Sequence, residues 1–168
     1  PFIVTEYIKG KTLHERISQG LSVDQARKYL LQLAEAIAQL HRPITDEDGK
    51  SKLFVHCDLK PSNIMLCEEN DGIVILDLGT ARVIDENSIS TAPIGSTELY
   101  KVPEANLEPA ATLNQQQDIF QFGLIGFEML TGKRYWECEA SVRNSALQSL
   151  VTRFHPIQKS TCKIVQKS

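Results

Sequence analysis

The sequence has little of what marks several classes of protein. Its 168 residues contain only four cysteines, and these are scattered without a paired C-x-x-C spacing. That scarcity disfavours a zinc site and a secreted disulfide framework, and it favours a reducing, cytoplasmic compartment. Seven prolines and nine glycines are too few for a low-complexity or collagen-like chain. These absences favour an ordinary globular protein.

Charge and hydropathy exclude two further kinds of partner. The net charge is only −3, so we expect neither nucleic acid nor an anionic membrane surface to be held by bulk charge. The longest strongly apolar stretch, Phe122 to Leu130, contains Glu128 and is far too short to span a bilayer. No basic, apolar leader opens the chain, so we expect no export signal.

The first third of the chain predicts one strand followed by two helices. The β-branched and aromatic segment at residues 2–7 predicts a buried strand. Thr12 and Ser22 each begin a capping box, with Glu or Gln three residues later, and so predict two helix starts. The second helix is expected to run about five turns and to pack through one apolar stripe. That stripe comprises Ala26, Leu30, Leu33, Ile37 and Leu40.

The rest of the chain predicts short strands, a long loop and one more helix. Apolar runs at 53–55, 64–66 and 73–76 predict strands, the last two joined as a β-hairpin. Residues 79–101 lack any period and predict a loop. Residues 115–130 predict a helix. Its buried side is expected to carry Ile119, Phe122, Gly126 and Met129, and Gly132 is placed to cap it. The fold class is therefore α+β, mainly α.

One short segment combines the side chains that phosphoryl transfer requires. Within the segment His56-Cys57-Asp58-Leu59-Lys60-Pro61-Ser62-Asn63, the acid is followed by a lysine two residues later and an amide five residues later. A carboxylate can accept the proton of an attacking hydroxyl, and a cation can offset the charge of the moving phosphoryl group. An amide oxygen can help to hold Mg²⁺. On residue types alone, an ordinary polar loop is the competing interpretation.

Three later segments argue against an ordinary loop. Asp77-Leu78-Gly79 follows an apolar run, and a carboxylate at a strand end is a suitable oxygen ligand for Mg²⁺. Thr97 to Glu104 closes the long loop. Asp118 lies in the first turn of an otherwise apolar helix, where a buried carboxylate needs partners.

In this order, the motifs resemble the C-terminal lobe of a eukaryotic-type protein kinase. His56 to Asn63 is similar to the H-R-D-L-K-P-x-N catalytic loop, and Asp77-Leu78-Gly79 to the D-F-G metal motif. Val102-Pro103-Glu104 is similar to A-P-E, and Asp118 with Gly123 to D-x-x-x-x-G. The opening strand resembles the hinge between the two kinase lobes.

The resemblance implies a role for each matching residue. It implies Asp58 as catalytic base, Lys60 as a contact of the γ-phosphate and Thr97 as a partner of the catalytic loop, with ATP and Mg²⁺ as cofactors. For the adenine site it implies Thr5, Glu6, Ile8 and Met65. For the metal it implies Asn63 and Asp77, and for support of the site it implies His56, Leu78, Glu104 and Asp118.

The chain also departs from the family pattern. Cys57 stands where the family has the arginine that pairs with an activation-loop phosphate, so a non-RD kinase is expected. We expect residues 1–136 to form the lobe from hinge to the helix after the A-P-E segment. Residues 137–168, which are rich in Lys and Arg, are expected to be the incomplete end of the lobe or a disordered tail. The N-terminal lobe is expected to be missing, and the chain alone to be inactive.

The resemblance implies a protein serine/threonine kinase that phosphorylates a hydroxyl group of a protein substrate. A catalytically silent kinase-like scaffold or binding module is the alternative. It is disfavoured because Asp58, Lys60, Asn63 and Asp77 are all present. A small-molecule phosphotransferase is a third possibility, disfavoured because such enzymes lack the segment similar to A-P-E.

Overall fold

The protein is described here from a computed structural model, which describes residues 4–85, 97–101 and 114–145. These ranges contain three complete α-helices, six strands and short 3₁₀ turns, and residues 140–145 are helical as well. The predicted α+β class, mainly α, is confirmed. The helices are α1 (Leu13–Ser18), α2 (Val23–Leu40) and α3 (Gln116–Thr131). The strands are β1 (Gly10–Thr12), β2 (Ile44–Thr45), β3 (Ser51–Val55), β4 (Ile64–Cys67), β5 (Ile73–Ile75) and β6 (Arg82–Asp85).

Both predicted capping boxes form. Thr12 accepts from the backbone N–H of Glu15, whose carboxylate accepts from the Thr12 backbone, and Ser22 exchanges the same pair with Gln25. These bonds satisfy N–H groups that a helix start leaves without partners. The predicted stripe of α2 is largely buried, and Tyr29 joins it. The two helix starts are therefore confirmed.

Two small antiparallel sheets carry the loops of interest. The first has the strand order β1-β4-β5 and includes the predicted hairpin of β4 and β5. The second has the order β2-β3-β6. Strand β6 lies within the span predicted as a loop, so that prediction is wrong for Arg82–Asp85. Four residues were too few to show a period, and pairing with β3 supplies their hydrogen bonds.

The strand predicted over residues 2–7 is also wrong in its described part. Residues 4–9 contain no strand, and the first one begins at Gly10. Val4 is 83% exposed and Tyr7 is 87% exposed. No strand within the described ranges pairs with them, so their β propensity is not used.

Helix α3 buries most of the side that was predicted, and Ile119 is the exception. Ile119 is 54% exposed and Phe122 is half-buried, whereas Gly126 and Met129 are buried. The buried face also includes polar side chains, and two of them, Asp118 and Gln121, bond to the backbone of residues 56–59. The predicted cap is confirmed, since Gly132 adopts the left-handed conformation with φ +69°. The buried polar residues of α3 are Gln117, Asp118, Gln121 and Glu128.

The main hydrophobic core lies between α1, α2, α3 and the first sheet. It includes Leu13, Leu33, Ile64 and Ile125. A smaller cluster of Val55, Cys57 and Ile84 lies under the second sheet. Among the helices that the structure describes, none combines the length and the apolarity that crossing a membrane demands.

Candidate active site

The loop from His56 to Lys60 connects the two sheets across the face of α3. It leaves the end of β3, enters a 3₁₀ turn at Pro61–Asn63 and continues into β4. Leu59 is fully buried and anchors the loop in the core. The Asn63 carbonyl accepts a 2.8 Å hydrogen bond from the Leu76 N–H, which ties the end of β5 to the loop.

Asp58, Lys60 and Thr97 form one hydrogen-bonded cluster. Oδ1 of Asp58 accepts from the backbone N–H and from the hydroxyl of Thr97, both at 2.9 Å. Oδ2 of Asp58 accepts from the Lys60 ammonium at 2.6 Å, and this ammonium also donates to Thr97 Oγ1 at 2.8 Å. The structure therefore brings together three side chains that lie up to 39 residues apart in sequence.

These contacts hold Asp58 in its ionised form. Burial raises the pKa of Asp58, but the hydrogen bonds from Lys60 and Thr97 outweigh this effect, so the pKa lies below its ordinary value. A carboxyl group whose pKa is lowered by folding stabilises the fold above its ordinary pKa. That contribution is lost as the pH falls through the lowered value. At neutral pH the carboxylate is thus ready to accept a proton.

Asn63, which bonds to Asp58, and Asp77, which follows β5, both offer oxygen atoms. Asn63 is buried and donates from Nδ2 to the Asp58 carbonyl at 3.0 Å, which leaves its amide oxygen as the available acceptor. Asp77 is exposed, has φ +60°, and accepts from the Gly79 N–H at 3.2 Å through Oδ1. Amide and carboxylate oxygens are ligands that Mg²⁺ prefers, so the donor set fits that ion. In the ranges described, no group of three or more His, Cys, Asp or Glu side chains could hold a metal by itself.

Asp118, on α3, hydrogen-bonds to the start of the 56–60 loop. Its side chain is fully buried, and it accepts from the backbone N–H groups of His56 at 2.9 Å and Cys57 at 3.0 Å. Its Oδ2 also lies 2.8 Å from Nε2 of His41, the residue that caps α2. A buried carboxylate with this many partners avoids the cost of an unpaired charge.

His56 and Cys57 are buried at the base of the loop. Nε2 of His56 lies 3.1 Å from the Leu76 carbonyl, and Nδ1 accepts from the Asp58 N–H at 3.4 Å. Cys57 has φ +72°, a left-handed conformation unusual for a residue with a side chain. Burial and the nearby Asp118 raise the pKa of its thiol to about 11.

Other predicted site residues are less closely tied to this cluster. Leu78 is 54% exposed, so its stacking on His56 stays a prediction. Thr5 and Glu6 are exposed, and Ile8 is half-buried. Met65 is half-buried in β4, opposite Val74 on the hairpin. Residues 102–104, including Glu104, lie outside the described residues.

Sequence reasoning missed Gln121. This buried side chain donates from Nε2 to the Cys57 carbonyl at 2.8 Å, and its Oε1 accepts from the Leu59 N–H at 2.8 Å. The signal was present, because a glutamine three residues after Asp118 lies on the same face of a helix. Tyr100, which donates to the buried carboxylate of Glu128, was missed as well.

Comparison with known proteins agrees with this arrangement. The protein kinase domain family matches residues 1–167, beyond residue 136 where the recognisable motifs end. The probable serine/threonine-protein kinase PknB of Bifidobacterium longum is 30% identical over 140 residues, which cover 79% of this chain and 18% of that protein. A probable serine/threonine-protein kinase of Clostridium acetobutylicum is 31% identical over 145 residues, covering 84% and 20%. Serine/threonine-protein kinase A of Synechocystis is 33% identical over 139 residues, covering 79% and 26%.

The chain spans about a fifth to a quarter of the length of these three relatives. The similarity thus concerns one part of each relative, and it coincides with the catalytic-loop and helix motifs described above. Together with the match over residues 1–167, it shows that this chain belongs to the protein kinase domain family.

Proposed function

We propose that the protein is a serine/threonine kinase that transfers the γ-phosphoryl group of ATP to a hydroxyl of a protein substrate. The observation that carries the proposal is the Asp58–Lys60–Thr97 cluster. It combines an ionised carboxylate, a cation and a side chain that fixes the orientation of the carboxylate. The three relatives described above carry the name serine/threonine-protein kinase, which supports a protein hydroxyl as the acceptor.

The residues divide the reaction between them. The substrate hydroxyl oxygen forms the new bond to the γ-phosphorus while the bond from that phosphorus to the bridging oxygen breaks, and ADP departs. Asp58 accepts the hydroxyl proton, and Thr97 keeps its carboxylate oriented. Lys60, which contacts Asp58 in the structure, offsets the charge of the transferred group.

The nucleotide and metal assignments extend this proposal. Asn63 and Asp77 would hold Mg²⁺, which when bound neutralises charge on the phosphates. Thr5, Glu6, Ile8 and Met65 would contact the adenine. A reducing, cytoplasmic location suits the free thiols of Cys57, Cys67 and Cys138.

The test is phosphate transfer by the intact protein, as its gene encodes it, with labelled ATP, Mg²⁺ and a generic protein acceptor. We expect label on serine and threonine and not on tyrosine. Asp58→Asn should lower kcat by about a hundredfold or more, because the proton acceptor is lost. Asp71→Asn is the matched control, since Asp71 is also held ionised, by Lys28 and Tyr29, but makes no contact with the Asp58–Lys60–Thr97 cluster among the described hydrogen bonds.

Two results would contradict the proposal. One is an intact wild-type protein that binds ATP without transferring phosphate, which would favour a kinase-like binding module. The other is equal activity of Asp58→Asn and Asp71→Asn. Label found only on tyrosine would replace the proposed acceptor.

A further inference from the structure

The side-chain amide of Gln121 hydrogen-bonds to the backbone on both sides of Asp58. Its side chain is 1% exposed on α3, three residues after Asp118. Nε2 donates to the carbonyl of Cys57, the residue before Asp58, and Oε1 accepts from the N–H of Leu59, the residue after it. Both bonds measure 2.8 Å. One side chain thus fixes the two peptide units that carry the proposed catalytic base.

No other group described in the structure replaces these bonds. Cys57 is 3% exposed and Leu59 is fully buried, so water has little access to their backbone groups. Buried backbone groups without a partner are rare and costly. Gln121 is therefore the partner on which this part of the loop depends.

The backbone at this point needs such support. Cys57 has φ +72°, and a residue in that conformation persists only where its surroundings hold it there. The Cys57 N–H donates to Asp118, and the Cys57 carbonyl accepts from Gln121. Releasing the carbonyl would let the peptide between Cys57 and Asp58 turn, which would move the carboxylate away from the place of the incoming hydroxyl.

We propose that Gln121 is a positioning residue for the phosphoryl-transfer step, acting through the backbone that flanks Asp58 rather than through substrate or nucleotide. The inference rests on the proposed function, and it assigns Gln121 an effect on kcat that is separate from nucleotide binding. A misplacement of about 1 Å at a catalytic group can lower a rate by about a hundredfold.

The same helix offers a matched control. Gln117 is also buried, one turn earlier on α3, at 5% exposure. Its Oε1 has no hydrogen-bond partner among the described residues. Replacement of Gln117 by methionine therefore perturbs helix and core in a similar way without releasing the catalytic loop.

The experiment compares Gln121→Met with Gln117→Met in the intact protein. We expect Gln121→Met to lower kcat by about tenfold to a hundredfold, with KM for ATP within about twofold of wild type, as for loss of an interaction that acts on the transition state. Gln117→Met should keep a kcat within about threefold of wild type, as for a group outside the catalytic machinery. The amide of Leu59 should exchange faster with solvent only in Gln121→Met.

Each other outcome counts against the inference or separates it from the proposed function. Equal kcat values for the two variants, or a Gln121→Met defect confined to KM, would overturn it. If Gln121→Met does not fold, Gln121→Asn keeps the amide but shortens its reach by one methylene. A wild-type kcat in Gln121→Asn would overturn the inference too. If the wild type transfers no phosphate, the proposed function fails. The support of the backbone by Gln121 can still be tested in that case, because unchanged exchange of the Leu59 amide in Gln121→Met would contradict it.

Discussion

At the scale of single residues, buried polar side chains of α3 determine the shape of the catalytic loop. Asp118 accepts from two consecutive backbone N–H groups, and Gln121 bonds on both sides of Asp58. Such groups would destabilise a core if they were unpaired, but each has partners in the loop. The loop and the helix therefore stabilise each other, and the orientation of Asp58 follows from both.

Cys57 shows how its surroundings set the chemistry of a side chain. Its position between His56 and Asp58 would suggest a reactive thiol. Burial raises its pKa to about 11, and Asp118 acts in the same direction. Because the thiolate is the reactive form, this thiol is protected at neutral pH.

We expect Cys57 to react about tenfold or more slowly with iodoacetamide at pH 7.5 than the half-buried Cys67 and Cys138, because fewer thiolates form and access is poor. Mass spectrometry of labelled peptides at several times measures the three rates. In denaturant, where burial is lost, the rates should converge. A native Cys57 that is labelled first would show that the site is open and the thiol activated.

At the scale of elements, the glycines within α3 and at its C-terminus differ in whether a side chain could replace them. Gly132 ends the helix with φ +69°, and its N–H bonds to the Glu128 carbonyl. Gly123 lies in the helix interior, where an added Cβ would meet nothing within 4 Å. Gly126 is different again, because its Cβ would lie 3.2 Å from the Leu30 side chain of α2.

We expect Gly132→Ala to lower the free energy of unfolding by about 1 kcal/mol, since a side chain disfavours the left-handed conformation. Gly123→Ala should raise it by up to about 1 kcal/mol, because alanine is a better helix former and the site is open. Urea denaturation of the intact protein and the two variants measures both effects. Equal changes of the same sign would show that backbone conformation does not distinguish these positions.

At the scale of the whole molecule, the two sheets pack on hydrophobic clusters of different size. The first sheet packs through Ile64 and Leu66 on the large core of the three helices. The second sheet packs on three buried residues, of which Val55 and Ile84 come from its own strands. Less buried apolar surface means a lower free energy of local opening.

We expect the amide of Ile84 in the second sheet to exchange with solvent faster than those of Leu66 and Val74 in the first sheet and Leu33 in α2. Hydrogen exchange followed by mass spectrometry or NMR measures this order. Val74 is the matched control, since it lies in the edge strand β5 of the first sheet as Ile84 lies in the edge strand β6 of the second. Equal protection of Ile84 and Val74 would mean that the two sheets open as one unit.

The helix starts and the resemblance to a kinase could be predicted because their signals are local. A capping box needs residues only three positions apart, and the loop motif occupies eight consecutive residues. The strand β6 and the hydrogen bonds of Gln121 could not be predicted. Both depend on partners distant in sequence, namely β3 for the strand and the backbone of Cys57 and Leu59 for Gln121.

By itself, the sequence determined the α+β class, the helix boundaries near Thr12, Ser22 and Gly132, and the set of residues that marks a protein kinase. These follow from residue types at short spacing, where local sterics and hydrogen bonding decide the outcome. Only the tertiary structure decided that Gln121 holds the backbone on both sides of Asp58 and that Tyr100 donates to Glu128. Those contacts join segments tens of residues apart, and their geometry depends on how α3 packs beneath the loop.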